Sequence, residues 1–173
     1  MGNESFVLVH GNASRYEGTA DLVFTHPYAP LPPQLWGCPM ILNLALPTPL
    51  HRARMAETAR WVGGRPLRQV GRWALGGWNG MFVVNLPPRP VMLMDLMAAR
   101  DPLPGGWFPE ELCRRMFRAY HDLIPARALV WDGFMGRGTV GKVGVRDFGY
   151  HFFGMDASWE RVMLAREYFR DLH

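Results

Sequence analysis

The sequence predicts an α/β fold built on a mostly parallel sheet. Three observations point there. Short apolar segments alternate with segments of helical spacing along the chain. Several of the apolar segments, such as Leu22, Val23 and Phe24, run without polar alternation, as in strands covered on both faces. One apolar segment leads directly into the glycine-rich DGFMGRGTVGK, Asp132 to Lys142. The 173 residues, 49% of them hydrophobic, suit a single domain, 1–173, with an ordinary core.

The elements follow in order. FVLVHGN (6–12) reads as a short strand ending at a polar turn, and ADLVFTHPY (20–28) as a second strand stopped by Pro27. HPYAPLPP holds four prolines in eight residues and reads as an extended loop. PMILNLAL (39–46) is a third strand. RARMAETARWV (52–62) has helical spacing, with Met55, Ala59 and Val62 on one side. GMFVVNL (80–86) is a further strand. FPEELCRRMFRAYHDL (108–123) reads as a helix, with Pro109 in the first turn, acids next, and Leu112, Met116 and Tyr120 four apart. ALVWD (128–132) and HFFGMD (151–156) are strands, and SWERVMLAREYFRDL (158–172) is a helix capped by Ser158.

Composition narrows the setting. No apolar run reaches the roughly 20 residues a bilayer span needs. MGNESFVLVHGN carries Glu4 and no early Lys or Arg, which makes a poor secretory signal. Cys38 and Cys113 stand far apart, form no metal-ligand spacing, and suit reduced thiols in a cytoplasmic protein. Net charge is +4, and Lys142 is the single lysine among 19 basic residues. This arginine excess suits a polyanionic partner, since arginine makes forked contacts with phosphate.

The glycine loop has several readings. Gly136, Gly138 and Gly141 spell G-x-G-x-x-G, and Gly136 to Lys142 nearly spell the phosphate-binding G-x-x-x-x-G-K-[ST]. Val143 stands where the latter needs a hydroxyl for magnesium, which disfavours that reading. An acid about 20 residues beyond the first glycine, at the end of the next strand, binds ribose hydroxyls in such sites, and Asp156 has that place. NAD and S-adenosylmethionine both carry adenosine, and the spacing does not separate them.

The chain also resembles a known family. WDGFMGRGTVGK followed by FFGMDASWERVMLAREYF is similar to the cofactor-binding half of the DNA amino-methyltransferases, whose pattern is DPFxGSGTT, then a strand ending G-x-D and a helix. FPEELCRRMF resembles the segment that packs on the methionine end of their cofactor. ADLVFTHPYAP resembles their DLVxTDPPY loop, and FVLVHGN the strand and turn before it. Catalytic loop first and glycine loop last is the circularly permuted order common in these enzymes. The resemblance implies a Rossmann-like S-adenosylmethionine-dependent methyltransferase fold, with helices on both faces of the sheet. It implies methyl transfer to adenine N6 or cytosine N4 of DNA, with S-adenosylhomocysteine as product, in the cytoplasm. A compact chain of this kind, lacking a large recognition domain, also suits a phage protein in a host cytoplasm.

In this family, acceptors from the D/S/N-P-P-Y loop draw the amine lone pair out of conjugation, and the aromatic residue stacks on an extruded base. Here the loop is Thr25-His26-Pro27-Tyr28, one residue short and without the usual acid. Either Thr25, through its hydroxyl, or neutral His26, through a ring nitrogen, takes the acid's place. The resemblance assigns cofactor contacts to Asn12, Phe108, Asp132, Phe134, Gly136, Gly138, Thr139 and Asp156, with Thr139 also capping the following helix. Gly133 replaces the family's proline, and Arg137 its serine. Arg137 and Lys142 read most simply as solvated charges. Residues 50–80 form a small basic and aromatic insertion, where Arg52, Arg54, Arg65, Arg68 and Arg72 suit DNA phosphates and Trp61, Trp73 and Trp78 suit stacking. A homodimer would extend that grip. The rival expectation is an inactive relative that binds cofactor or DNA without turnover.

Overall fold

The computed structural model describes residues 5–45, 51–74, 78–96 and 108–172. Its strands are β1 (Phe6–His10), β2 (Leu22–Thr25), β3 (Met40–Ala45), β4 (Arg68–Ala74), β5 (Trp78–Val84), β6 (Leu129–Asp132) and β7 (His151–Asp156). Its helices are α1 (His51–Trp61), α2 (Glu110–Tyr120), α3 (Thr139–Phe148) and α4 (Trp159–Tyr168). The strands form one seven-stranded sheet in the order β1-β7-β6-β2-β3-β5-β4. β5 runs antiparallel to β3 and β4, and the remaining pairings are parallel.

The apolar runs are explained by two cores. Leu22 and Phe24 of β2 enter a cluster with Leu112 and Met116 of α2, Val143 of α3 and Val162 of α4. Val23, between them, enters a second cluster with Leu31, Leu35, Val62 and Trp131 on the opposite face. Successive side chains of a strand point to opposite faces, so a strand buried on both sides must be apolar throughout. α2, α3 and α4 cover one face; α1 and the loops around it cover the other. No helix among the described residues is long and apolar enough to cross a membrane.

The predicted strands all form, with ends shifted by a residue or two. Pro109 is the N-cap of α2 rather than a first-turn residue, and Glu110 and Glu111 occupy that turn. Ser158 caps α4 as expected, its hydroxyl accepting from Arg161 N. α4 ends at Tyr168, earlier than its apolar spacing suggests. β4 is the element whose mixed sequence, RQVGRWA, conceals a strand: it lies at the sheet edge with a register shift between Gln69 and Gly71.

Two basic residues depart from expectation. Lys142 is buried at 7% exposure: its Nζ donates to the Tyr168 carbonyl at 2.5 Å, sits 2.8 Å from Asp171 and lies over the Tyr168 ring. Arg137 lies over the same ring at 4.3 Å. The C-terminal turn supplies both cations with a partner that only the tertiary fold brings near.

Candidate active site

The order of strands creates a crevice in the middle of the sheet. From β6 the chain crosses to β7 on one side, and from β2 it crosses to β3 on the other. Ligands of open α/β sheets bind beyond the carboxyl ends of strands at such a reversal. β2 and β6 pair only at Leu22–Val130 and Val23–Trp131, so they part before either ends. Across the gap the Thr25 hydroxyl donates to Asp132 Oδ1 at 2.5 Å. Asp132, the last residue of β6, also accepts from Phe134 N at 3.0 Å. Burial pushes its carboxyl up to about 7, against the lowering effect of these two donors.

The glycine corner is held from β7. Asp156 accepts from Gly136 N through one oxygen and from Ser158 N through the other, each at 2.9 Å. Gly138 is the N-cap of α3 at φ +84°, and a Cβ there would meet the Phe169 ring at 2.7 Å. Thr139 does not cap this helix; it is the first helical residue, and Gly138 offers no side chain to cap with. Gly133, at the family's proline position, has a structural reason. A Cβ would come within 2.2 Å of the Trp131 indole, which fills the space a proline ring needs.

The Thr25–Tyr28 turn faces this corner. One open cleft is lined by His26, Tyr28 and Phe108 together with Asp132, Phe134, Met135, Gly136, Thr139, Val140 and Arg161. The two predicted corners therefore share a cavity. Tyr28 is 60% exposed, stacks on His26 with ring centroids 4.6 Å apart, and meets Phe134 edge-on at 5.9 Å. Phe108 lies parallel to His26 at 6.2 Å. Pro27 is buried. Burial, reinforced by the charge of Arg54, keeps His26 neutral with its pKa lowered to about 4.

Comparison with solved structures decides the fold. M1.HpyAVI in its complex with SAM matches with a TM-score of 0.62 over 94% of this chain and 99% of that one, at 15% identity. TTHA0409 from Thermus thermophilus, complexed with S-adenosyl-L-methionine, matches with 0.57 over 95% and 93%, at 17% identity. The PvuII cytosine-N4-specific DNA methyltransferase matches with 0.53 over 92% and 84%, at 14% identity. The chain has the S-adenosylmethionine-dependent methyltransferase fold. No protein-family model and no curated protein matches it by sequence.

Within this methyltransferase fold the sequence-predicted residues divide into groups. His26, Tyr28, Phe108, Asp132, Phe134, Gly136 and Thr139 line the cleft. Thr25 does not line it: the side chain is fully buried and its hydroxyl is committed to Asp132. Asn12 is not among the lining residues, and its side chain caps its own turn, accepting from Ser14 N at 3.0 Å. The arginines also divide. Arg72 pairs with Gly80, itself opposite Leu44, at the cleft end of the sheet, whereas Arg68 pairs with Val83, opposite Ile41, at the far end. Arg65 precedes Arg68 on that far side. Arg54 is half-buried, pairs with Glu57 at 3.1 Å and lies over Trp61; Arg52 is exposed on the same first turns of α1. Trp73 is 1% exposed, so it packs in the core and offers no stacking surface.

Sequence reasoning missed Arg161, Met135 and Val140 as lining residues. It also missed Asn43 and Asn79, two polar residues with 1% and 8% exposure inside otherwise apolar strands. A lone Asn within MILNLA was a readable signal, because a buried amide requires partners.

Proposed function

We propose that the protein is an S-adenosylmethionine-dependent DNA methyltransferase acting on an exocyclic amine, adenine N6 or cytosine N4. The shared cleft at the strand reversal carries this reading: a methyl donor on the glycine side would face a base on the Tyr28 side. The residues present suit the cofactor. Asp132 offers a buried carboxyl, raised to about 7, at the end of β6, where a cationic amine would draw it into the ionised form. Phe134, Phe108, Met135 and Val140 offer apolar contact. Asp156 has both oxygens engaged with backbone N–H groups, so any ribose contact would use its remaining lone pairs.

When bound, the cofactor would supply a methyl on a sulfonium, an electrophile in need of an in-line nucleophile. The protein's own residues then act chiefly by positioning. Exposed Tyr28, backed by Phe134, offers a face for an extruded base. Neutral His26 and buried Pro27 hold the turn. Arg52, Arg54 and Arg72, towards the cleft end, would meet phosphates, with residues 50–80 as the DNA-contacting region and a homodimer extending it. The test is transfer of tritiated methyl from S-adenosylmethionine to unmodified DNA, followed by digestion to identify the base. Label in no DNA or RNA would overturn the reading.

One observation favours a second reading, an inactive relative that binds without turnover. The Thr25–Tyr28 turn carries no acid, and the one hydroxyl that could stand in for it, on fully buried Thr25, donates to Asp132. Such a protein would bind cofactor or DNA, transfer no methyl, and be indifferent to Tyr28→Ala.

A further inference from the structure

We propose that the Nε2–H of His26 is the donor that recognises the ring nitrogen beside the target amine, N1 of adenine or N3 of cytosine. This rests on the methyltransferase reading above and specifies how its base is held.

An indole N–H can only donate. Trp73 Nε1, in β4, donates to Asn43 Oδ1 in β3 at 2.7 Å, which orients the Asn43 amide. Its Nδ2 must then supply the other contacts: to Asn79 Oδ1 in β5 at 3.1 Å, and to His26 Nδ1 at 3.3 Å. His26 Nδ1 is therefore an acceptor. The neutral ring must carry its proton on Nε2. That atom is shielded from water and has no hydrogen-bond partner among the described residues. Three strands thus hold a histidine in one tautomer, with its remaining nitrogen an unsatisfied donor, on a residue that lines the cleft.

A buried donor without an acceptor is costly, and the exceptions in folded proteins call for a specific reason. A ligand acceptor would remove that cost. Adenine and cytosine share one edge that supplies it: a ring nitrogen with a lone pair directly beside the exocyclic amine. Guanine and thymine carry N–H at the corresponding ring position and would set donor against donor. Tyr28 forms the exposed wall beside it, stacked on the His26 ring at 4.6 Å and reaching Nδ1 by a long 3.5 Å contact, so a base that displaces or slides along this 60% exposed ring reaches His26. The role differs from the one expected of the family's acid. His26 orients and selects the base rather than accepting from its amine, which leaves the amine hydrogens to backbone carbonyls of the turn.

The experiment pairs enzyme and substrate changes. DNA is prepared with 1-deazaadenine or 3-deazacytosine at the target, whichever base digestion identifies, and compared with natural DNA for wild type and His26→Phe. Phenylalanine keeps a flat ring to stack on Tyr28 but has no N–H. The deaza base should lower wild-type kcat/KM roughly ten- to hundred-fold, mostly through KM, and His26→Phe should lose a similar factor on natural DNA with little further loss on the deaza base. An equal deaza penalty in both proteins, or wild-type efficiency of His26→Phe, would overturn the contact. S-adenosylhomocysteine calorimetry verifies that the variant is folded. Nitrogen-15 spectra of wild type add a readout independent of the variant: a proton on Nδ1 at neutral pH overturns the proposal. Absence of methyl transfer by wild type would remove the methyltransferase reading itself, and this contact with it.

Discussion

Replacement of Asp132 by Asn should stabilise the protein in alkaline solution and weaken its hold on the cofactor. Asp132 is 2% exposed, and its Oδ1 accepts from the Thr25 hydroxyl and Phe134 N. An Asn Oδ1 can accept the same two bonds, so the amide imitates the protonated acid. Burial raises the carboxyl from an ordinary 3.8 to about 7. Over that interval the folded protein keeps a proton that the unfolded chain has released. Stability from the protonated acid is thus fully present below pH 4 and is lost as pH rises through 7. Three pKa units at 1.36 kcal/mol each set the loss at about 4 kcal/mol, an upper figure because water in the cleft reduces it. The Asp132→Asn variant carries no such loss. Urea denaturation of both proteins at pH 5 and pH 8.5, followed by tryptophan fluorescence, reads the difference. The variant's advantage should be no more than about 1.5 kcal/mol at pH 5 and grow by about 2–3 kcal/mol at pH 8.5. Titration of other groups affects both proteins and cancels. An advantage that does not grow with pH, or a variant equally destabilised at both values, would refute the assignment of a burial-raised carboxyl. Calorimetry should show S-adenosylmethionine binding weakened at least tenfold in the variant, since a neutral amide cannot pair with an ammonium group.

Further outcomes follow from the same geometry. Thr25→Val removes a donor to buried Asp132 and should lower stability by about 1–2 kcal/mol in urea titrations at pH 8; an unchanged midpoint would mean that hydrogen bond carries no weight. Gly133→Ala drives a Cβ into the Trp131 indole and to 2.8 Å from the Ala13 Cβ and should cost about 1–3 kcal/mol, a cost that Trp131→Leu in the same chain relieves in part; equal costs with and without Trp131 would contradict the packing account. Between pH 6.5 and pH 4 the unfolded histidine gains a proton that folded His26, lowered to about 4, refuses, a loss that offsets the gain from Asp132 over the same interval; thermal melts of His26→Phe should therefore gain on wild type as pH falls from 6.5 to 4, and an unchanged difference would refute the assignment. Alanine at Arg72 should weaken DNA binding and reduce the salt slope by about 0.9, whereas alanine at Arg68, on the far end, should leave both near wild type.

The strands and most helices were legible because each declares itself locally: both-face burial demands continuous apolar runs, and caps and glycines mark the ends. β4 was not, since an edge strand with a bulge carries arginines on its open side and has little apolar pattern to show. The glycine corner and the histidine turn were legible as motifs, and their meeting followed from the rule that loops at a strand reversal converge. Lys142 and Trp73 were misjudged for one shared reason. Residue type predicts average exposure, but Tyr168 and Asp171 come to Lys142, and Asn43 comes to Trp73, only after the chain has folded.

By itself, then, the sequence determined that this chain makes an α/β sheet with a glycine corner after one central strand and a proline-bounded turn after another. Tertiary structure alone decided the chemistry of those corners. It put Thr25 against Asp132, removing the threonine from the cleft and raising the acid by burial. It also aligned three strands so that an indole dictates, through Asn43, which nitrogen of His26 holds a proton. Hydrogen-bond direction and desolvation depend on partners distant in sequence, and no local pattern of residues encodes them.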